Sequence, residues 1–111
     1  MLEEIAFRRN AEKAIETLKV ALIQAECDAD FEVEEQNGVL NVLFEDPPAK
    51  FVITPNTPVR QIWISALSTS FKLDWDVAMQ DFIFLKTGEC LRPLVTRLIN
   101  EQLGDEAVVI P

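Results

Sequence analysis

The sequence predicts an α+β fold, a two-layer α/β sandwich in which two helices pack on one face of an antiparallel sheet. Three observations carry this. A helical apolar period opens the chain, a run of period-two segments broken by turn formers fills its middle, and a second helical period follows. That order cannot supply repeated βαβ crossovers, so the strands must pair antiparallel and both helices must share one sheet face, leaving the other toward water. With 111 residues, 49% hydrophobic and 26% charged, the chain 1–111 is read as a single domain.

Phe7, Ala11, Ala14, Leu18, Leu22 and Ala25 recur at intervals of three and four, which predicts a helix over residues 2–25. Glu3 and Glu4 fall in its first turn, where the helix dipole favours negative charge. From Asp30 the period becomes two: Phe31 and Val33 alternate with Glu32 and Glu34, and Asn37-Gly38 turns the chain into Leu40, Val42 and Phe44. Pro47 and Pro48 are expected to end this second strand, and Phe51 to Thr54 to form a short third. The turn-rich run Thr54-Pro55-Asn56-Thr57-Pro58 leads into a fourth strand with Ile62 and Ile64 on one face and Gln61, Trp63 and Ser65 on the other. Further strands are expected at Phe71 to Asp74 and Asp81 to Leu85. The Lys86-Thr87-Gly88 turn is expected to end the meander, and Leu91, Leu94, Leu98 and Leu103 mark a second helix.

The chain has no histidine, which removes the commonest proton-transfer group near neutral pH and every Ser-His or Cys-His nucleophile pair. No catalytic group stands out, and the chain is not read as an enzyme. Nineteen acids against ten bases give a net charge of −9, a surface repelled by nucleic acid and anionic membranes but suited to a basic protein or a hard cation. Twelve of the acids lie in the first 50 residues. Cys27 and Cys90 are too few and too far apart for a zinc ribbon or disulfide framework and are read as free thiols. Met1-Leu2-Glu3-Glu4 lacks the basic start of an export signal, and no apolar run approaches a membrane span, so a cytoplasmic location is expected.

The segment from Glu26 to Glu34 places an acid at every second position: Glu26, Asp28, Asp30, Glu32 and Glu34. In an extended backbone these project to one side, about 6.6 Å apart. Such a ladder is open. It lacks the bent loop that converges oxygens into a calcium cage, and suits weak, partly hydrated binding of a divalent ion such as ferrous iron, with added field from Glu12 and Glu16. The same pattern also suits the solvated face of an edge strand. If Ile62 and Ile64 face the helices, Trp63 points away from them beside Gln61, Ser65, Asn41 and Thr54. A tryptophan there reads as a protein contact or as a side chain covered by the following loop.

Thr57-Pro58-Val59-Arg60-Gln61-Ile62-Trp63-Ile64-Ser65 resembles the hallmark strand of the frataxin family. Phe7 to Ala11 resembles the opening of that family's first helix, Asn37-Gly38-Val39-Leu40 its first hairpin, Leu73-Asp74-Trp75 its following aromatic strand, and Gly88 through Leu94 the entry to its second helix. The resemblance implies a bacterial-type accessory protein of iron-sulfur cluster biogenesis, and a monomer is expected. It implies weak binding of iron, as Fe2+ or Fe3+, at Glu26, Asp28, Asp30, Glu32 and Glu34, on an acidic ridge that also contacts a cysteine desulfurase. It further implies contact with a cluster scaffold protein through the open sheet face at Gln61 and Trp63, with Asn41, Thr54 and Arg60 assigned to the same surface. An iron chaperone with ferroxidase-like oligomers and a frataxin-fold module outside the pathway are the alternatives. Lys19, Val20, Ile23 and Gln24 stand where relatives continue the ridge up the helix, which halves the expected iron site. Val20 and Ile23 are expected to form a small exposed apolar patch. Thr54 stands where many relatives have Asn, Phe82 where many have Trp, and Lys72 near a position often basic.

Overall fold

A computed structural model describes residues 3–26, 31–45 and 48–104. Helix α1 spans Glu4–Glu26 and is followed by strands β1 (Phe31–Gln36), β2 (Val39–Glu45) and β3 (Pro48–Asn56). A 3-10 turn at Thr57–Val59 leads to β4 (Gln61–Ala66), β5 (Thr69–Asp76), β6 (Asp81–Phe84), the two-residue β7 (Glu89–Cys90) and helix α2 (Leu91–Leu103). Among the described residues, seven strands form one antiparallel sheet in sequential order, with both helices on one face.

The pleat decides which residues meet the helices. Phe31, Leu40, Val42, Phe44, Phe51, Ile53, Ile62, Ile64, Phe71, Leu73 and Phe82 are buried beneath Phe7, Ala11, Ile15, Leu18 and Leu22 of α1 and Leu94, Val95, Leu98 and Ile99 of α2. Phe82 joins two layers: its ring meets Phe7 of α1 edge-on at 5.9 Å and Trp75 of β5 at 5.1 Å, geometries that suit aromatic quadrupoles. Phenylalanine at this position fills the core with no exposure.

The hairpin turns explain the register. Asn37 and Gly38 have φ of 54° and 80°, the paired left-handed conformation of a two-residue turn matched to strand twist. Leu67 and Ser68, between β4 and β5, adopt φ of 52° and 60°, a conformation that costs non-glycine residues about 1–2 kcal/mol each. The long β4–β5 pairing that follows, Gln61↔Asp74 through Ala66↔Thr69, offsets it.

Three expectations need correction. β3 begins at Pro48 and runs to Asn56, longer at both ends than Phe51 to Thr54. Proline is tolerated as a first strand residue, and pairing with β2 ends at Leu40↔Ile53, so Pro55 lies where β3 is paired only with β4 and the missing N–H disrupts little. Pro47 lies outside the described residues. β5 extends to Thr69–Asp76, because its pairing with β4 and β6 carries it beyond the apolar alternation. The turn at Lys86-Thr87-Gly88 does not end the meander: β7 pairs with β6 through Ile83↔Cys90 and Phe84↔Glu89, too briefly to leave a period in the sequence.

A side-chain clamp holds β7 to α2. Arg97 donates from Nε to Glu89 Oε2 at 2.8 Å and from Nη2 to Glu89 Oε1 at 2.9 Å, and Nη1 reaches Glu101 Oε1 at 3.1 Å. The Arg97 hydrogen bonds hold the Glu89 carboxyl below the ordinary glutamate range, with Thr87 assisting. A lowered carboxylate pKa contributes stability above the unfolded value, about 4.3, that is lost as pH falls through the folded value. Arg97→Met is therefore expected to lower stability at neutral pH by about 1 kcal/mol, the scale of a partly exposed bidentate pair. Urea unfolding at pH 7 and at about pH 3 checks this, since the difference between wild type and variant should shrink at the acid end.

Candidate functional site

The pleat of β1 divides its acids. Glu32 and Glu34 lie on the open face, in register with Leu43 and Asn41, while Glu35 shares the helix side with Leu40. Glu32 and Glu34 are both exposed. Alternation on one strand puts them roughly 6.6 Å apart, as expected for the final step of the ladder. Asp28 and Asp30 lie outside the described residues, as does Cys27. Glu26 ends α1, and its side chain also lies outside what is described.

Glu35 meets a cation. Lys19 of α1 donates from Nζ to Glu35 Oε1 at 3.1 Å and lies 3.8 Å from Glu16 Oε2. The hydrogen bond to Glu35, and next the charge of Glu16, raise the Lys19 pKa. This contribution is complete below the ordinary lysine value and is lost only as pH rises through the folded one. The seam between α1 and β1 is thus partly neutralised from within, beside a groove of about 480 Å³ lined by Glu12, Glu16, Glu35 and Arg8. Val20 and Ile23 are 47% and 41% exposed, as expected of the apolar patch.

Among the described residues no three acidic or thiol side chains come close enough together to hold a metal ion. Glu32 and Glu34 fit a hydrated hard cation held through water rather than a chelated one. Thiolate ligation is disfavoured at Cys90, a free thiol whose pKa burial raises, reinforced by Asp81.

The open face continues across the sheet. One row runs Glu34, Asn41, Val52, Ser65, Ser70 and the next holds Thr54, Trp63, Lys72. Trp63 is half-buried on this face, so it is neither interred in the core nor free in solvent. Its Nε1 donates to Gln61 Oε1 at 2.9 Å, Gln61 Nε2 donates to Asp74 Oδ1 at 3.1 Å, and the Lys72 ammonium stands over the indole 4.8 Å from its centroid. Such a contact is worth about 0.5–1 kcal/mol where it is solvated. Asn41 shares the face but is only 6% exposed, so it shapes the surface from below more than it presents an amide. Thr54 is half-buried beside Trp63. Arg60 caps the 3-10 turn in a left-handed conformation, φ 56°, and its guanidinium donates to the Thr57 carbonyl.

The structure therefore brings Glu32, Glu34, Asn41, Thr54, Gln61 and Trp63 to one face and sets Arg60 at its end. Three strand spacings separate β1 from β4, about 14 Å. Sequence reasoning missed the pairing of Lys19 with Glu35 and the part played by Asp74. The signal for Asp74 was its offset from Gln61 across the Leu67-Ser68 turn, which is readable only once that turn is known.

These features define a two-layer α+β sandwich whose polar groups gather on an uncovered sheet face and along one acidic seam. A frataxin-like domain model matches residues 1–105. The chain is 35% identical over 79 residues to the iron-sulfur cluster assembly protein CyaY of Azotobacter vinelandii, covering 71% of each chain. It is 32% identical over 79 residues to the protein of that name from Pseudomonas fluorescens strain Pf0-1, again covering 71% of each. A solved frataxin from Psychromonas ingrahamii superposes with a TM-score of 0.83 at 17% identity over 99% of both chains, a likeness of fold. The chain belongs to the frataxin family.

Replacing Lys19 by Glu would put a third carboxylate between Glu16 and Glu35. Lys19→Glu is expected to lower the urea midpoint at low ionic strength, with most of the difference disappearing in high salt, because the repulsion at this exposed seam is screened. A salt-independent loss would show that Lys19 acts through packing instead.

Proposed function

We propose that this protein is a non-catalytic accessory protein of iron-sulfur cluster assembly that docks on a cysteine desulfurase and its scaffold protein and regulates their output. The observation that carries the reading is the continuity of the open face, on which an anionic strand edge and an anchored tryptophan are displayed together on a rigid sheet. Curated relatives over 30% identical bear the name iron-sulfur cluster assembly protein. The anionic β1 side suits a basic surface on the desulfurase, where charge governs encounter rate and salt dependence. Trp63, with Gln61 and Thr54 around it, suits the scaffold, since a part-buried aromatic on a stiff strand is a common binding hot spot.

Iron is assigned the role of a weakly held cargo ion. Glu32 and Glu34, continuing the series Glu26, Asp28 and Asp30, would hold it through water, and the tethered ammonium of Lys19 keeps Glu16 and Glu35 from joining them. The protein is proposed to act in the cytoplasm as a monomer; among the described residues no helix is long and apolar enough to cross a membrane.

Glu32→Lys/Glu34→Lys is expected to weaken desulfurase binding about tenfold or more at low salt, with a smaller loss at high salt, because two charge reversals act at the proposed contact. Isothermal titration at two ionic strengths checks it. Equal affinity of variant and wild type at both would overturn the assignment of this edge.

A further inference from the structure

We infer that Asp74 is a positioning residue that sets the orientation of Trp63 for partner contact, acting through the side-chain amide of Gln61. The inference rests on the reading of the open face as a docking surface. It begins with the donor and acceptor inventory. An indole offers one N–H and no acceptor, a carboxylate only accepts, and a glutamine amide has one end of each kind. Gln61 stands between the two, accepting from Trp63 Nε1 at 2.9 Å and donating to Asp74 Oδ1 at 3.1 Å.

Without Asp74, the Gln61 amide could rotate by half a turn and present its NH2 group to the indole, where no hydrogen bond forms. Asp74 removes that freedom, because its carboxylate is compatible only with the NH2 end. The carbonyl is then always directed at the indole. Gln61 and Asp74 are cross-strand partners in the β4–β5 ladder, so the backbone itself fixes their approach. Lys72, opposite Trp63 in the same ladder, stands over the ring. The indole is thereby held at its N–H edge by one chain of bonds and against one face by a cation.

The functional consequence is preorganisation. Ordering a large side chain during association costs binding free energy, and a tryptophan already held in one orientation avoids that cost. Asp74 would support affinity without touching the partner.

The test separates this role from bulk and charge. The two indole N–H resonances of the chain are recorded by nuclear magnetic resonance, with Trp75→Phe used to assign them, and affinity for the scaffold protein is titrated in parallel. Asp74→Ala is expected to move the Trp63 resonance upfield and to weaken scaffold binding up to about tenfold, the scale of one hydrogen bond. In Gln61→Glu/Asp74→Asn the donor and acceptor are exchanged, and the Trp63 resonance, which reads the indole bond without the partner, should return to its wild-type position. The inference is overturned if Asp74→Ala leaves either the resonance or the affinity unchanged while Trp63→Ala weakens binding, or if the exchanged pair fails to restore the resonance in a folded protein. If Trp63→Ala itself leaves affinity unchanged, the docking role of the face fails, and the role of Asp74 in partner contact fails with it.

Discussion

Two helices on one side of a seven-stranded meander impose a single constraint on every strand: one face must be dry and the other must not need to be. The dry face is met by an almost unbroken aliphatic and aromatic layer, with Phe82 bridging Phe7 of α1 and Trp75 of β5. Because the side-chain period of a strand is two, a one-residue slip of β4 against its neighbours would send Ile62 and Ile64 to water and bring Gln61 and Trp63 into the core. The apolar pattern therefore holds the polar surface in place. Burial on one face is what makes the arrangement on the other reproducible.

The same pleat sorts the charges. Successive residues Glu34 and Glu35 occupy opposite faces, and their chemistry diverges accordingly. Glu34 joins a polar row that crosses the sheet, whereas Glu35 turns toward α1 and accepts from Lys19. A cluster of acids that is uniform in sequence becomes two environments in space, one exposed and anionic, the other compensated by a cation of the chain itself. At the far edge the Glu89–Arg97 clamp serves a different end, fastening the two-residue strand β7 to α2.

Rigidity and the proposed docking role meet at β4. Trp63 stands on an interior strand, supported on one side by β3 and on the other by β5, and its polar edge is engaged by a neighbour two residues away. An aromatic group so placed differs from one on a loop, since few conformations remain to be lost on association. The anionic edge at β1 is, by contrast, a field more than a shape, and a field tolerates variation in the number and position of its charges.

Much of this was legible in one dimension. The helical spacing from Phe7 to Leu22 and the alternation at Phe31 to Phe44 and Ile62 to Ile64 required the two-layer fold, because each is a local record of which side of an element is dry. Glu32 and Glu34 could be assigned to one face, and Trp63 to the side away from the helices, for the same reason. Other features had no local record. Leu67-Ser68 adopts a left-handed hairpin turn without the glycine or asparagine that would announce it, so the pairing of Gln61 with Asp74 and of Trp63 with Lys72 was hidden. β7 is too short for any period, and Lys19 and Glu35 are sixteen residues apart. Periodicity determined the faces because burial acts residue by residue along each element; only the folded chain could decide which polar groups meet, because those contacts depend on register between strands and on the approach of a helix to a strand edge.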